Sequence, residues 1–238
     1  AIMLDQPDKR WPAAKASGPA LDFQQHLKLL EAQGLMVRID RPVNKDTELH
    51  ALVRWQFVGG LPEDKRRAFL FTNVIDGSGK RYDMPVVVGA LAACPQIYAV
   101  GMGRPVEQIG EAWIEAVDKP IPPVRANAAP CQEVVITGDA LKQPDGGLKT
   151  LPVPISTPGF DAAPYFTATL CITRDPESGI QNMGTYRAGL KATDRLGVRM
   201  ASRIGGAGGY QHWLKHRKLK KPMPVAIVVG CAPVVIYT

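Results

Sequence analysis

The chain has 238 residues, of which 45% are apolar, and it carries a formal net charge of +7. This composition supports a substantial core and predicts a globular protein, while 23 glycines and 21 prolines argue against a helical bundle. The positive charge indicates anionic partners, whether nucleic acid, phosphate-bearing cofactor or carboxylate substrate.

No leader with a basic start and an apolar core opens the chain. The longest apolar run, residues 225–237, is too short for a membrane span and is interrupted by Gly230 and Pro233. The four cysteines are far apart and lack metal-type spacing, which predicts reduced thiols. We therefore expect a soluble, cytoplasmic protein without a membrane partner.

The first half of the chain predicts a mixed α/β unit over residues 21–118, after a lead-in of residues 1–20. Asp22 can cap a first helix with Gln25 at the third position, and Asp46 or Thr47 can cap a second. Runs in which apolar and polar residues alternate predict the other strands, and apolar residues at helical spacing predict the other helices. They are strands at 35–39, 68–74 and 85–88 and helices at 94–100 and 107–117.

Residues 119–130 contain four prolines and predict an irregular linker between two domains. After it, helical signals largely cease and residues 131–238 predict a barrel or sandwich of antiparallel strands. The glycine-rich residues 205–209 precede a short helix, where they can either offer backbone amides to a phosphate or act as a flexible connection. The predicted strands lie at 131–137, 151–155, 196–200, 225–229 and 234–237, with a hairpin from 165 to 187.

This hairpin is the most informative stretch. Its first strand alternates apolar residues with threonines, which predicts one core face and one exposed hydroxyl face. Gly184, within the second strand, indicates a bulge or a ligand close to the backbone. Strict alternation would send Asn182 and Arg187 to opposite faces, so they share a site only if Gly184 bulges or the strand ends there. A hairpin with a polar exposed face and no ligand is the alternative interpretation.

The basic run 215–221 offers a different function, because on a helix it can bind a phosphate backbone. It lacks interleaved aromatic residues, and such runs are commonly solvated faces. A nucleic-acid-binding module is therefore an alternative function, and we expect no nucleic acid partner.

The order of motifs resembles the UbiD-like decarboxylases, which use prenylated FMN to remove or add a carboxylate on aromatic and unsaturated acids. The similarity runs from about Leu21 to Thr238. Its blocks are residues 21–40, residues 130–139 with Leu151-Pro-Val-Pro154, residues 172–179, Asn182-Met-Gly-Thr-Tyr-Arg187, and Pro222-Met-Pro-Val-Ala226.

The resemblance implies an α+β protein: an N-terminal α/β domain followed by a split β-barrel of flavin-reductase type. It implies prenylated FMN as cofactor, with Mn2+ or another divalent cation and K+, a small aromatic or unsaturated acid as substrate, and a flavin prenyltransferase as cofactor supplier. Arg187 would orient the substrate carboxylate and be catalytic, and Asn182 would hold the metal. The implied cofactor contacts are Thr167, Asn182, Gly184, Thr185 and Arg187.

One departure concerns the metal. Arg203 stands where many relatives carry a histidine ligand, and a guanidinium cannot ligate a cation. We hypothesise that Arg203 meets the cofactor phosphate directly; the alternatives are a surface charge or a shifted alignment, with His212 as a nearby candidate ligand.

The chain stops at Thr238, within or just after a predicted apolar strand, so we expect a truncated barrel that a missing C-terminal segment or a partner chain completes, in a homo-oligomer. The family's glutamates, which supply the proton, would lie beyond Thr238. We therefore expect little or no decarboxylation by this chain alone. A noncatalytic flavin-binding subunit or fragment is the alternative.

Overall fold

The computed structural model describes residues 18–203 and 205–238, over which the chain is an α+β protein. The predicted lead-in of residues 1–20 lies outside the described residues, apart from its last three. The first half of the chain alternates helices and short strands. Its elements are α1 (Phe23–Ala32), β1 (Met36–Ile39), β2 (Val43–Asn44), α2 (Leu49–Val58), β3 (Ala68–Phe71), β4 (Val74–Ile75), β5 (Arg81–Tyr82), β6 (Val86–Val88), α3 (Pro95–Met102) and α4 (Ile109–Asp118).

Two three-stranded sheets form the frame of this half, in the orders β1-β3-β6 and β2-β4-β5. Each holds one parallel pair, β1 with β3 and β2 with β4, whose strands are joined by longer connections. One apolar cluster, which includes Leu30 and Ile97, packs α1 and α3 against the first sheet. A second cluster, which includes Leu49 and Phe71, packs α2 between the sheets. The predicted mixed α/β unit is therefore present.

The two predicted helix caps have different outcomes. Asp22 caps α1 as predicted, because its side chain accepts a hydrogen bond from Gln25 N at 2.7 Å. The cap predicted for the second helix is wrong: α2 begins at Leu49, after Glu48. Asn44 Oδ1 instead accepts the backbone N–H groups of residues 46 and 47, at 2.9 and 3.2 Å, and this turn delays the helix.

The strand predicted over residues 68–74 is in fact two strands, β3 and β4, in different sheets. Phe71 and Val74 are both fully buried, one in each sheet. Thr72 lies between them and donates its hydroxyl to Asp40 at 2.5 Å. The apolar pattern of residues 68–74 is continuous, although the chain passes from one sheet to the other within it.

The second half of the chain is organised around one antiparallel sheet in the order β10-β7-β8-β9. No helix in the described ranges is long and apolar enough to cross a membrane. The elements are β7 (Tyr165–Arg174), β8 (Gln181–Ala192), β9 (Arg195–Arg199), α5 (Gly208–Lys218), β10 (Ala226–Val228) and α6 (Pro233–Ile236).

The predicted split β-barrel is not confirmed, because this sheet stays open over the part of the chain that the structure describes. Residues 131–137 were predicted as a strand; instead, residues 131 and 132 belong to a short 3-10 turn, and residues 133–137 connect it to the next 3-10 turn. Residues 234–237 were also predicted as a strand, but residues 234–236 belong to α6, because Pro233 occupies the first turn, where its fixed φ and missing N–H favour a helix start.

Helix α5 covers the hydroxyl face of the hairpin, which sequence analysis expected to be exposed. Thr169 and Thr173 are fully buried beneath it. Thr169 donates its hydroxyl to the Tyr186 carbonyl, and Thr173 Oγ1 lies 2.9 Å from His212 Nδ1. Hydroxyls can be buried at low cost when they are hydrogen-bonded, so a threonine face packs beneath a helix as well as an apolar one.

A buried lysine joins the two halves of the chain. Lys45 Nζ donates to the Val153 carbonyl at 2.9 Å and to Asp46 Oδ1 at 2.7 Å. The same Asp46 oxygen accepts the Ile155 N–H at 3.1 Å. These contacts fix the extended segment that leads into β7.

Asp175, at the hairpin turn, pairs with Lys215 of α5 at 2.6 Å. This hydrogen bond holds the pKa of Asp175 well below its ordinary value. A depressed folded pKa contributes stability above the unfolded carboxyl pKa of about 4, and that stability is lost as the pH falls further.

From about pH 5 to pH 2, we therefore expect urea denaturation to show a steeper loss of unfolding free energy in the wild type than in Asp175→Asn. Asp139→Asn, which removes an exposed carboxylate beside Lys142, should keep the wild-type profile. Superimposable profiles for Asp175→Asn and the wild type would contradict this prediction.

Candidate functional site

The register of β7 and β8 assigns each predicted residue to one face of the hairpin. Pairing runs unbroken from Arg174 opposite Gln181 to Thr169 opposite Tyr186, so side chains alternate strictly along this part of β8. There is no bulge at Gly184; the irregularity lies on β7, between residues 166 and 169. The face toward α5 carries Asn182, Gly184, Tyr186 and Ala188, and the opposite face, called here the open face, carries Thr185 and Arg187.

Asn182 lies directly beneath the start of α5. Its side chain approaches Gly208 so closely that a Cβ would not fit there. Its Nδ2 atom is buried and has no hydrogen-bond partner among the described residues. A buried donor without an acceptor costs about 1–3 kcal/mol, so such a group calls for a ligand or an ion. The adjoining helix start adds N–H groups that lack an intrahelical acceptor, of which the one at Gly209 donates to Tyr186, and the positive end of the helix dipole. This corner therefore suits an anion.

Tyr186 explains the glycine within the strand. Its ring lies over Gly184, and its hydroxyl accepts the Gly209 N–H at 3.3 Å. Gly184 thus makes room for a side chain of the same strand, where sequence analysis expected a bulge or a ligand. Through the hydrogen bond to its hydroxyl, Tyr186 attaches the first turn of α5 to the sheet.

This packing predicts a stability change for Gly184→Ala. The added Cβ would lie 2.5 Å from Tyr186 Oη and 2.8 Å from Cε2, so the ring must move. We expect a loss of about 1–3 kcal/mol in the free energy of unfolding, measured by urea denaturation. Gly189→Ala is the matched control in the same strand, because its Cβ would meet its nearest atoms at an ordinary 3.7 Å. Equal stability of the two variants would refute the role assigned to Tyr186.

His212 is the side chain that sequence analysis named as a nearby ligand candidate. It is buried, and its Nδ1 faces Thr173, which is the direct strand partner of Asn182. The described ranges contain no group of three His, Cys, Asp or Glu side chains arranged to hold a metal. The metal prediction at Asn182 therefore gains no support from these residues.

Arg187 lies on the open face and is held by Tyr165. Its Nη1 donates to the Tyr165 hydroxyl at 3.2 Å, and its guanidinium lies 5.3 Å from the centre of the same ring. No carboxylate pairs with Arg187 among the described residues. The remaining N–H donors of its planar fork are available to an external carboxylate.

The structure separates the predicted residues into two groups. Thr185 and Arg187 are exposed on the open face, whereas Asn182 and Gly184 lie toward α5. Thr167 is exposed within the β7 irregularity. Arg203 is exposed in the turn before α5, where its carbonyl accepts the Gly206 N–H at 2.9 Å. The threonine, asparagine and arginine thus do not form one cluster of touching side chains.

A free strand edge connects the two groups. β9 pairs with β8 only over residues 187–192, so residues 181–186 have no strand neighbour on that side in the described ranges. Asn182 lies at the start of this free edge and Arg187 at its end, about 16 Å apart at 3.3 Å per residue. A long ligand lying along the edge would reach both faces.

Tyr165 and Tyr186 are the two aromatic residues that hold the site together, and neither was predicted as a site residue. Counting outward from the turn would have paired residue 186 with residue 169. It would have misplaced Tyr165, because the irregularity shifts the register to Tyr165 opposite Gly189. The contact between Tyr165 and Arg187 depends on that one-residue shift.

Comparison with known proteins gives matches to two family models. Residues 27–117 match the N-terminal domain of 3-octaprenyl-4-hydroxybenzoate carboxy-lyase, UbiD, and residues 123–238 match its Rift-related domain. Together they cover most of the chain.

Solved structures of UbiD-class enzymes are also similar. HmfF from Pelotomaculum thermopropionicum, in complex with FMN, is 30% identical with a TM-score of 0.72, over 90% of this chain and 43% of its own. The 3,4-dihydroxybenzoic acid decarboxylase AroY of Klebsiella pneumoniae is 27% identical with a TM-score of 0.74, over 91% and 43%. The vanillic acid decarboxylase of Sedimentibacter hydroxybenzoicus is 26% identical with a TM-score of 0.75, over 92% and 44%. The chain therefore spans less than half of the length of these enzymes.

Proposed function

This chain belongs to the UbiD family of carboxy-lyases, and we propose that it supplies the cofactor-binding sheet of an enzyme that reversibly decarboxylates aromatic or α,β-unsaturated acids with prenylated FMN. Two of the similar enzymes act on 3,4-dihydroxybenzoic and vanillic acids, which are both aromatic. Another binds FMN, and an evolved form of it binds prenylated FMN. The observation that carries the proposal is the unpaired buried amide of Asn182 beside the start of α5.

The residues at that corner would hold the cofactor phosphate. The Asn182 amide and the first N–H groups of α5 offer donors, and a phosphate would satisfy the buried Nδ2 atom. Arg203, in the preceding turn, would add a positive charge in place of a cation. The described residues around Asn182 include no group of three His, Cys, Asp or Glu side chains that could hold Mn2+.

The isoalloxazine would follow the free edge of β8 toward the open face. Gly184 and Thr185 lie midway along this edge, where the backbone has no strand partner in the described ranges. Thr185 and Thr167 would present hydroxyls near the ring. This arrangement lets Asn182 and Arg187 serve one ligand although their side chains lie on opposite faces.

Arg187 would bind the substrate carboxylate. Its planar fork can donate parallel hydrogen bonds to both oxygens. Tyr165 restricts the guanidinium from one side, so less rotamer entropy is lost when the acid binds. Prenylated FMN, when bound, supplies the electron sink for loss of CO2, and the chain itself supplies orientation and charge. The proton donor would come from residues outside the described chain.

The partners of the proposed enzyme follow from this chemistry. They are a small acid, a flavin prenyltransferase that supplies the cofactor, and further copies of the chain in a homo-oligomer. Val134 and Val135, which are 76% and 69% exposed, are apolar side chains that such an assembly would cover.

Cofactor loading tests the proposal. The chain is produced together with a flavin prenyltransferase and purified, and the bound small molecules are identified by absorbance and mass spectrometry. We expect prenylated FMN near one equivalent per chain. A colourless protein from the loaded cells, while HmfF produced in parallel is loaded, would overturn the proposal.

A further inference from the structure

A cavity of about 210 Å³ lies at the junction between the two halves of the chain. This junction cavity is bounded by the β4–β5 turn, residues 76–80, and by residues 149–153. It adjoins a larger cleft of about 510 Å³, with which it shares three lining residues. Neither Asn182 nor Arg187 lines it. Junctions between folding units are common ligand sites, and a volume below the roughly 300–1,000 Å³ of pockets for drug-sized ligands limits this one to a small molecule.

The junction cavity has a cationic edge formed by Lys45, Lys80 and Lys149. Lys45 is buried, with 6% of its side chain exposed, and its two hydrogen bonds in the described ranges leave one of its three donors over. Lys80 Nζ donates to the Lys149 carbonyl at 3.2 Å. Lys149 Nζ donates to the Pro144 carbonyl at 3.3 Å, which is a neutral acceptor. Each ammonium therefore retains a donor for an external anion.

Two carboxylates also line the junction cavity, and neither holds a lysine ammonium closely. The Asp76 oxygens accept the N–H and hydroxyl of Ser78, the Lys80 N–H and the Tyr82 hydroxyl. These bonds hold the β4–β5 turn. Asp145 lies 3.7 Å from Lys80 Nζ and is 87% exposed, so water screens this pair and its contribution is small. The charges of Lys80 and Lys149 are therefore available to a ligand.

An apolar wall faces the cationic edge. It is formed by Leu151, Val153, Pro164 and Leu190, all from the second half of the chain. A short apolar chain would remove this wall from water, while a carboxylate would accept charge-assisted hydrogen bonds from the ammonium groups. Inorganic phosphate would leave the wall wet, and a neutral apolar molecule would leave the ammonium groups without an anion. A small amphiphilic acid fits both sides of the cavity.

We propose that the junction cavity binds a short-chain monocarboxylic acid, with its carboxylate at Lys80 and Lys149. Its chain lies against Leu151 and Leu190. Because the acid contacts both halves of the chain, its binding stabilises their packing and raises the melting temperature. The inference goes beyond the proposed function, since it concerns a second ligand and requires no flavin.

Calorimetric titration of the flavin-free chain with pentanoate tests this inference, with acetate, 1-pentanol and inorganic phosphate as comparison probes. We expect pentanoate to bind at least about tenfold more tightly than acetate, because it buries three further methylene groups. Pentanol and phosphate should each bind at least about tenfold more weakly than pentanoate, since the first lacks the charge and the second lacks the chain. Phosphate or pentanol binding as tightly as pentanoate would overturn the proposed ligand class.

Substitutions on the two sides of the cavity should have different effects. Lys80→Gln should weaken pentanoate binding at least about fivefold, whereas Lys80→Arg, which keeps the charge, should retain most of the affinity. Leu151→Ala should lower the preference for pentanoate over acetate without changing acetate affinity. The matched control is Lys142→Gln, an exposed lysine of the same half that does not line the cavity, which should leave all affinities unchanged. Thermal melting of the ligand-free variants reports the fold.

Arg187 on the open face is the other group that could attract the acid, so Arg187→Gln separates the two sites. Pentanoate affinity should be the same in this variant as in the wild type. Affinity that falls in Arg187→Gln, and persists in Lys80→Gln, would overturn the inference. If the chain loads no flavin but binds pentanoate in a manner that requires Lys80, the junction site stands and the proposed function fails. If flavin loads and Lys80→Gln leaves pentanoate binding unchanged, the proposed function stands and the junction site is rejected.

Discussion

Replacing Arg187 by glutamine should lower the affinity of the loaded chain for aromatic carboxylates by about 100-fold. The guanidinium supplies two charge-assisted hydrogen bonds to the carboxylate, and bonds of this kind contribute about 1.5–3 kcal/mol each, of which an exposed site retains part. Arg187 is exposed, and the side-chain hydrogen bond and ring contact that it makes in the described ranges are both with Tyr165, so folding should be unaffected. Calorimetric titration with benzoate measures the affinity, and thermal melting of the same samples reports the fold.

Two controls sharpen this prediction. Arg187→Lys keeps the charge but not the planar fork, and should recover less than about a tenth of the lost affinity. Tyr165→Phe removes the hydroxyl that accepts from Arg187 but keeps the ring, so a loss of a few-fold is expected. A glutamine variant that binds benzoate as tightly as the wild type would show that the acid lies elsewhere.

Replacing Asn182 by leucine should have opposite effects on flavin binding and on stability. The buried Nδ2 atom has no partner in the described ranges, so an apolar side chain of similar size removes a penalty of about 1–3 kcal/mol. The flavin-free variant should therefore melt at a temperature equal to or above that of the wild type. FMN affinity, measured by fluorescence quenching, should fall at least about tenfold, because a donor to the phosphate is lost.

Joint loss of stability and of FMN affinity would identify Asn182 as a structural residue instead. Thr185→Val serves as the comparison, since this exposed side chain lies on the opposite face and away from the proposed phosphate corner. It should leave melting and the preference for a phosphorylated flavin nearly unchanged.

Local signals in the sequence were sufficient for several elements. The cap at Asp22 and the hairpin turn at Asp175 each depend on residues a few positions apart, and both are present in the structure. In β9, the predicted alternation of apolar and polar residues likewise matches the observed alternation of half-buried and exposed residues. Tertiary packing decided the rest. The threonines of β7 alternate as for an exposed face, but α5 covers them, and nothing within β7 encodes a helix that packs from 40 residues away.

The site shows the same limit. Strict alternation placed Asn182 and Arg187 on opposite faces, and the unbroken pairing of β8 agrees. The free edge that can connect them depends on where β9 stops pairing, which no local pattern indicates. Gly184 was predicted to mark a bulge or a ligand contact. The sequence does not indicate which neighbouring group occupies the space that a side chain at a glycine would fill. In this fold the neighbour is the ring of Tyr186.

Comparing FMN with riboflavin tests the central claim most directly, because the two flavins differ only in the phosphate. If the Asn182 corner and the start of α5 bind that phosphate, FMN should bind the chain at least about tenfold more tightly than riboflavin, and Asn182→Leu should largely remove the difference. Equal affinity of the wild-type chain for the two flavins would contradict the account.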